Sequence, residues 1–242
     1  MKTTTLKKVL AMVLALAAIV TCFTACGKKD KTVPEAFQGK LMEPYIKQIM
    51  TENYTYESRP QSQDGKTTPI TYAKAGKDRV MLTYQYNYNN QVIPLTFMKL
   101  DGKYYVLTST NKVYTEATDE EVNKFKIKEL FASADLDGFA QASFKSSGKA
   151  IIKDAEYQYE DYYSALNQIE NRFFFDKDGK LVMIGKLVDG KVESYTPITL
   201  YETNESTFDV LNSYTFVPQN TGAATTTTAA TTTAAQSADA LK

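Results

Sequence analysis

The sequence predicts an α+β protein that is mainly β. Between about residue 50 and residue 218, most segments alternate apolar and polar residues with the period of two that half-buried strands show. Asp-Gly pairs, which favour tight hairpin turns, begin at residues 101, 178 and 189 among these segments. Two further segments have helical spacing. We therefore expect a long antiparallel meander with two helices available to cover one face of the sheet.

The first predicted helix lies within residues 34–50, where apolar residues recur at helical spacing. Pro44 should kink or break this helix midway, because proline removes a backbone hydrogen bond and clashes with the preceding turn. The second helix is predicted over residues 118–134, where Thr118 and Glu121 have the spacing of a capping box. Its apolar face is supplied by Ile127, Leu130 and Phe131.

Residues 79–90 form the clearest predicted strand, because alternation places its apolar and aromatic residues on one face. These residues are Val80, Leu82, Tyr84, Tyr86 and Tyr88. Residues 93–115 are predicted to form one hairpin and residues 172–201 two more, each turning at one of the Asp-Gly pairs.

The N-terminal segment has the features of a secretory signal peptide, since three lysines precede an uncharged apolar run over residues 9–20. That run is shorter than the roughly 20 residues that a membrane-spanning helix needs. The sequence FTAC at residues 23–26 resembles the lipobox of bacterial lipoproteins. This resemblance implies cleavage before Cys26 and transfer of a diacylglyceryl group to its thiol. The alternatives are an ordinary cleaved signal, or a metal or redox pair with Cys22 that has no histidine to complete a zinc site.

The chain is predicted to have four parts: a lipoprotein signal peptide (1–25), a short spacer after the lipidated cysteine (26–33), a single domain (34–218) and a tail (219–242). The tail is rich in threonine and alanine and is predicted to be disordered, because it cannot bury enough apolar surface to offset its ordering entropy. Without the signal peptide the chain keeps 25 basic and 28 acidic residues, a net charge of −3. So small a charge does not predict a nucleic-acid partner.

The absence of histidine excludes Ser-His-Asp and Cys-His catalysis and the usual zinc sites. The turns DKDGKLVMIG and DLDGF lack acidic residues at the first and twelfth positions of an EF-hand loop, so we expect no metal and no cofactor. The acidic residues of EYQYEDYYSAL (Glu156, Glu160 and Asp161) leave a glycosidase-type carboxylate pair open. Their simpler interpretation is an exposed strand, and we expect no enzymatic activity.

Aromatic residues are the strongest remaining signal, with 17 tyrosines, 12 phenylalanines and no tryptophan. Such residues are typical of strands and of the core in a β-rich protein. Rows of tyrosine can also stack on sugars, although the absence of tryptophan weakens that interpretation. Both a filled core and an aromatic binding surface stay open.

A lipobox cysteine is followed by a short helix, a strand with YTYES, hairpins of the DGKYYVL kind, a mid-chain helix, RFFFDKDGKLVMI and a terminal FVP. This succession resembles the lipoprotein-carrier superfamily, which includes the Lol-type carriers and the LppX/LprG-type lipid-binding lipoproteins. The resemblance covers about residues 50–218. It implies an unclosed, strongly curved antiparallel sheet, or half-barrel, whose concave apolar face is covered by two or more helices. In that family the enclosed space holds acyl chains.

These observations predict a monomeric, non-enzymatic lipoprotein, anchored through Cys26 to the extracytoplasmic face of the cell membrane. Its predicted ligand is a lipid or another amphiphile, bound in an apolar cavity. The alternative is a cell-surface module with a filled core that binds sugar or protein. Alternation selects the candidate cavity residues Val80, Leu82, Tyr84, Leu95, Phe97, Phe173, Phe175 and Met183.

Overall fold

The computed structural model describes residues 32–61, 67, 69–88, 91–165 and 168–219, with the backbone alone for 85–88 and 91–93. The predicted signal peptide, the lipidation of Cys26 and the predicted tail beyond residue 219 lie outside the described residues. The same holds for the side chains of Tyr86 and Tyr88, so their predicted face is not described.

Strands make up most of the regular structure. The described residues contain β1 (Asn53–Ser58), β2 (Ile70–Ala75), β3 (Arg79–Tyr88), β4 (Gln91–Leu100), β5 (Lys103–Thr108), β6 (Val113–Glu116), β7 (Ser143–Ile152), β8 (Ala155–Ser164), β9 (Ile169–Phe175), β10 (Leu181–Val188), β11 (Lys191–Tyr201) and β12 (Thr215–Phe216). The α-helices are α1 (Glu43–Met50), α2 (Asp119–Lys124) and α3 (Ile127–Ala134). The 3₁₀ helices are η1 (Glu35–Phe37), η2 (Asp137–Gln141) and η3 (Glu205–Ser213).

All of these strands belong to one sheet, in the order β12-β6-β5-β4-β3-β2-β1-β11-β10-β9-β8-β7. Neighbouring strands are antiparallel except for β12, which pairs with β6 in parallel. The sheet is unclosed, because β12 and β7 form its two edges. The predicted fold class, mainly β with an open antiparallel sheet, is confirmed.

The sheet curves around its helices. Leu95 on β4 and Phe173 on β9 belong to one buried apolar cluster, although five strands separate β4 from β9 in the sheet. Ile46 of α1 and Phe131 of α3 belong to the same cluster, so the helices fill the concave side. The predicted cover of one face by helices is therefore present.

Both predicted helices are shorter than their sequence segments. Pro44 lies in the first turn of α1, where the missing N–H costs no hydrogen bond. The predicted helix is therefore broken before Pro44, and α1 begins at Glu43. The second segment is divided into α2 and α3 at Lys126, whose φ of 51° is left-handed. The predicted capping box of Thr118 and Glu121 is confirmed at the start of α2.

All three predicted Asp-Gly pairs lie in turns between paired strands, but only two of them form two-residue hairpin turns. Asp178 and Gly179 lie in a longer turn between the end of β9 at Phe175 and the start of β10 at Leu181, and of these two residues only Gly179 has a positive φ.

Asp101 and Gly102 join β4 to β5 with φ values of 50° and 81°. Positive φ at both central residues is the geometry of a type I′ turn, which matches the twist of a hairpin. Asp189 and Gly190 join β10 to β11 in the same way, with φ values of 50° and 74°.

Candidate functional site

The candidate site is the apolar core between the concave face of the sheet and the helices. Tyr84 is partly buried against this core, and six of the other predicted cavity residues are buried within it. These six are Val80, Leu82, Leu95, Phe97, Phe173 and Phe175. The structure thus brings seven of the eight together on one face, while their role in lining a ligand cavity stays a prediction.

Met183 lies elsewhere. The pairing of β10 with β9 shifts between Leu181 and Met183, which is a β-bulge. Beyond the bulge Met183 pairs with Phe174, whereas Phe173 pairs with Ile184. Met183 therefore lies on the outer face, because one extra residue reverses the alternation on which its prediction depended.

One end of the core is filled by aromatic rings beneath η1, α1 and η2. Phe37 stacks on Tyr162 with ring centroids 4.7 Å apart. Phe139 lies 4.7 Å from Phe173, measured between ring centroids. We call the region around these four buried rings the anchored end, because two buried polar clusters fix the helical segments to the sheet beside it.

The first polar cluster is centred on Glu160 of β8, which is 4% exposed. Its carboxylate accepts hydrogen bonds from the backbone N–H groups of Leu41 at 2.8 Å and Met42 at 3.0 Å. It also accepts one from the hydroxyl of Tyr162 at 2.9 Å. A buried carboxylate is costly unless it is hydrogen-bonded, so these three bonds make Glu160 the tie between the sheet and the start of α1.

The second polar cluster joins β1 and β2 to the end of α3. Lys74, which is 4% exposed, donates to Asp135 at 2.8 Å and also to Asp137. The hydroxyl of Tyr54 donates to Asp135 at 2.7 Å and accepts from the backbone N–H of Leu136 at 2.8 Å. These bonds hold the connection between α3 and η2 against the sheet.

The charges of this second cluster shift one another's pKa values. Burial lowers the pKa of Lys74, but the two carboxylates outweigh burial and the net shift is upward. Burial raises the pKa of Asp135, and Lys74 outweighs it, so this pKa is lowered. Burial and then the charge of Asp135 raise the pKa of Asp137 to about 6. Lys74 and Asp135 are therefore the stable ion pair, and Asp137 is the group that titrates near neutral pH.

The other end of the core lies where α2 and α3 face β3, β4 and β5. We call it the open end, because several of its aromatic rings are partly exposed. Its apolar side chains are partly buried against the core rather than enclosed by it: Tyr84, Tyr104, Val106, Phe125 and Leu130. The ring of Phe97, which is buried, lies 6.2 Å from the ring of Tyr84 and 6.1 Å from that of Phe125. The apolar surface is therefore continuous from the partly exposed rings to the interior.

The outer face of the sheet differs between its two halves. Over β2–β6 it is covered by η3, and Phe208 of η3 is buried with Met98 and Leu107. Over β8–β11 it carries Phe174, whose ring lies within 6.5 Å of the rings of three tyrosines. These are Tyr157, Tyr159 and Tyr195, the last of which is 42% exposed. We call this group the outer tyrosine patch.

The acidic residues of the EYQYEDYYSAL segment do not converge. Glu160 is buried on the concave face, and Asp161, the next residue, is buried on the outer face. There Asp161 accepts two hydrogen bonds from Arg172, at 2.7 and 2.9 Å. Glu156 is exposed and pairs with Lys149. The expectation of an exposed strand is wrong for Glu160 and Asp161, which are buried, and holds for Glu156.

Sequence reasoning missed the Lys74 cluster. Lys74 follows Ile70 and Tyr72 at intervals of two, so alternation places it on the concave face. A lysine at such an inward position signals a buried partner, because a charged residue is rarely buried unpaired. Its partners lie 61 and 63 residues further along the chain, a pairing that no local pattern indicates.

No group of acidic, histidine or cysteine side chains that could hold a metal ion occurs within the described residues. Across the same residues, every helix is too short or too polar to cross a membrane.

Comparison with known proteins finds distant structural likeness. No protein-family model and no curated protein matches the sequence. An uncharacterized conserved protein from Thermus thermophilus is 7% identical, with 73% of this chain and 96% of that chain covered and a TM-score of 0.37. LprF from Mycobacterium bovis is 11% identical, with 65% and 92% covered and a TM-score of 0.35. A DUF1329 family protein from Desulfovibrio piger is 12% identical, with 68% and 93% covered and a TM-score of 0.27.

These likenesses are too distant to indicate what the chain binds. The open sheet with helices on its concave side is a finding of this structure itself. Membership of the lipoprotein-carrier superfamily stays a prediction from the sequence.

Proposed function

We propose that the protein is a non-enzymatic lipoprotein that binds the acyl chain of an amphiphile at the open end. The observation that carries this proposal is the continuous apolar surface from partly exposed Tyr84 and Phe125 to buried Phe97 and Leu82. An acyl chain that displaced the outer rings would extend an existing apolar core. The anchored end would keep the sheet, α1 and the end of α3 in place while α2 and the start of α3 adjust.

The energetics favour detectable binding. Transferring a C16 chain from water into an apolar site is worth on the order of 10 kcal/mol, at about 0.8 kcal/mol for each methylene. Ordering of the chain and displacement of side chains reduce that value. Even a remainder of about half corresponds to a dissociation constant below millimolar.

The test is labelling of the mature full chain, reconstituted in phosphatidylcholine nanodiscs, with a palmitate analogue that carries a photoreactive diazirine. We expect cross-links at the open end. Leu82→Trp should abolish labelling by filling the entry path. Leu107→Trp is the matched control, because Leu107 is equally buried but lies in the cluster under η3. Equal labelling of both variants, or labelling spread over the surface, would contradict the proposal.

The proposed location is the extracytoplasmic face of the cell membrane, through a lipid on Cys26. Two or more acyl chains anchor a protein stably, whereas one holds it only marginally. Cys26→Ala should therefore release the chain from washed membranes or leave its signal uncleaved. A processed Cys26→Ala chain that stayed membrane-bound as firmly as the parent would rule out this anchor.

The outer tyrosine patch supports a second candidate function, a surface that binds sugar or protein. Tyrosine rings with one accessible face can stack on apolar faces of a ligand while their hydroxyls form hydrogen bonds. Tyr195→Ala should then weaken binding in a glycan or cell-wall pull-down, with Tyr201→Ala as the control at equal exposure. Loss of binding in both variants, or in neither, would speak against this patch.

A further inference from the structure

A group of lysines lies directly beside the open end. The junction of α2 and α3 has the sequence NKFKIK, in which Lys124, Lys126 and Lys128 are exposed and Phe125 is partly buried. The left-handed backbone at Lys126 turns the chain there. Phe125 reaches the core at Phe97, with 6.1 Å between the two ring centroids. We call these three lysines the basic rim.

The basic rim contacts the open end, and its ammonium groups form no ion pair among the described residues. The ammonium group of Lys128 lies 5.9 Å from the ring centroid of Tyr104, one of the partly buried rings. Within the part of the chain that the structure describes, no carboxylate forms an ion pair with any of the three lysines, whereas Lys103 nearby pairs with Glu116. Acidic residues flank the junction at Asp119, Glu120 and Glu121, in the first turn of α2, and at Glu129. The junction itself therefore presents three lysine ammonium groups, without carboxylate partners among the described residues, beside an apolar entrance.

We propose that the open end selects amphiphiles with an anionic head group, a carboxylate or a phosphate, and that the basic rim holds that head. This inference rests on the proposed function, because it names the class of ligand for the same site. The acyl chain would pass Phe125 and Tyr104, and the head would stay at the surface, where lysine side chains can reach it from flexible stems. Charge-assisted hydrogen bonds between ammonium and phosphate or carboxylate are stronger than neutral ones.

The expected effect is modest and depends on salt. Three exposed ion pairs of ordinary strength amount to roughly tenfold in affinity. Because the lysines are exposed, most of this preference should disappear at 1 M salt, where the screening length falls to about 3 Å.

The experiment compares two photoreactive probes with the same C16 chain, one ending in a carboxylate and one in a neutral glycerol ester. Each labels the mature full chain in phosphatidylcholine nanodiscs, and intact-mass spectrometry measures the labelled fraction. The rim variant is K124Q/K126Q/K128Q. The control variant, K177Q/K180Q/K191Q, removes three exposed lysines near hairpin turns between β9 and β11 and has the same net charge.

We expect the rim variant to lose roughly tenfold in labelling by the anionic probe and to keep labelling by the neutral probe. The control variant should keep both. If the rim variant retains the parent's labelling by the anionic probe, the basic rim has no role and the inference fails while the proposed function stands. If neither probe labels the parent, the proposed function fails and the inference with it. If millimolar inorganic phosphate displaced the anionic probe completely, the basic rim would be a site for free anions. That result would contradict the proposed selection of anionic amphiphiles.

Discussion

The two ends of the core are built from the same kinds of residue but differ in how polar groups secure them. At the anchored end, Glu160 fixes the start of α1, and Lys74 with Asp135 fixes the end of α3. At the open end, aromatic rings are partly exposed, and the lysines beside them point to solvent without carboxylate partners among the described residues. The buried polar ties between helices and sheet thus lie at the anchored end. The proposed binding of an acyl chain at the open end would use this division, because segments that move on binding need low local stability.

The largest expected effect comes from the Lys74 cluster. Lys74→Met would leave Asp135 and Asp137 partly buried without their cation, and removal of one partner of a buried pair costs about 3–5 kcal/mol. We expect that loss in the free energy of unfolding, measured by urea denaturation of the full chain. The control is Lys103→Met, whose exposed pair with Glu116 should contribute no measurable stability. Similar midpoints for the two variants would contradict the distinction between the ends.

Truncation of one phenylalanine at each end sharpens the comparison. Phe139→Ala removes a ring that contacts Phe37, Tyr162 and Phe173, and it should cost about 3–4 kcal/mol of unfolding free energy. Phe125→Ala should cost about 1 kcal/mol, because its ring is already partly in water. Labelling by the palmitate probe should change in the opposite order, with the larger change in Phe125→Ala. Equal stability losses would mean that the open end is packed as tightly as the anchored end.

Prediction from the sequence was most accurate for features formed by residues that lie close together in the chain. The Asp-Gly turns and the capping box of Thr118 depend on residues that lie within four positions of one another, and all are present, although the turn at Asp178 is longer than a two-residue hairpin turn. Strand alternation assigned Leu82, Phe97 and Phe173 to one face. It failed at Met183, because a bulge is a property of strand pairing and leaves no mark in the periodicity.

The long-range features could not be predicted from one sequence. The hydrogen bonds of Glu160 join residues 118 and 119 positions apart. The packing of η3 on β2–β6 brings residues 205–213 onto strands formed by residues 70–116. A 3₁₀ helix has no 3.6-residue periodicity by which to recognise it. The inward lysine at position 74 was the one available signal of a buried polar cluster.

The tie of α1 to the sheet should be weaker than the Lys74 cluster but still measurable. Glu160→Gln keeps the size of the side chain and replaces one acceptor oxygen by a donor, which leaves a backbone N–H of Leu41 or Met42 unsatisfied. The expected cost is about 1–3 kcal/mol of unfolding free energy. Hydrogen exchange should show the loss of protection confined to α1. Glu156→Gln, on the same strand but exposed, is the control and should leave exchange in α1 unchanged.

The last expected effect is a dependence of stability on pH at Asp137. Burial and the charge of Asp135 raise its pKa from the ordinary 3.8 to about 6, so the folded state binds more protons than the unfolded state between these values. The contribution of Asp137 to stability is therefore fully present below pH 4 and is lost as the pH rises to about 6. Asp135 acts in the opposite sense, since its lowered pKa adds stability above pH 4 that is lost in stronger acid. Asp137→Asn removes the titration of Asp137 itself, so the parent's advantage over this variant should shrink steadily from pH 4 to pH 6, as followed by urea unfolding. The exposed Asp189→Asn controls for loss of a charge. A difference between parent and Asp137→Asn that stayed constant over this range would show that Asp137 does not titrate within the folded cluster.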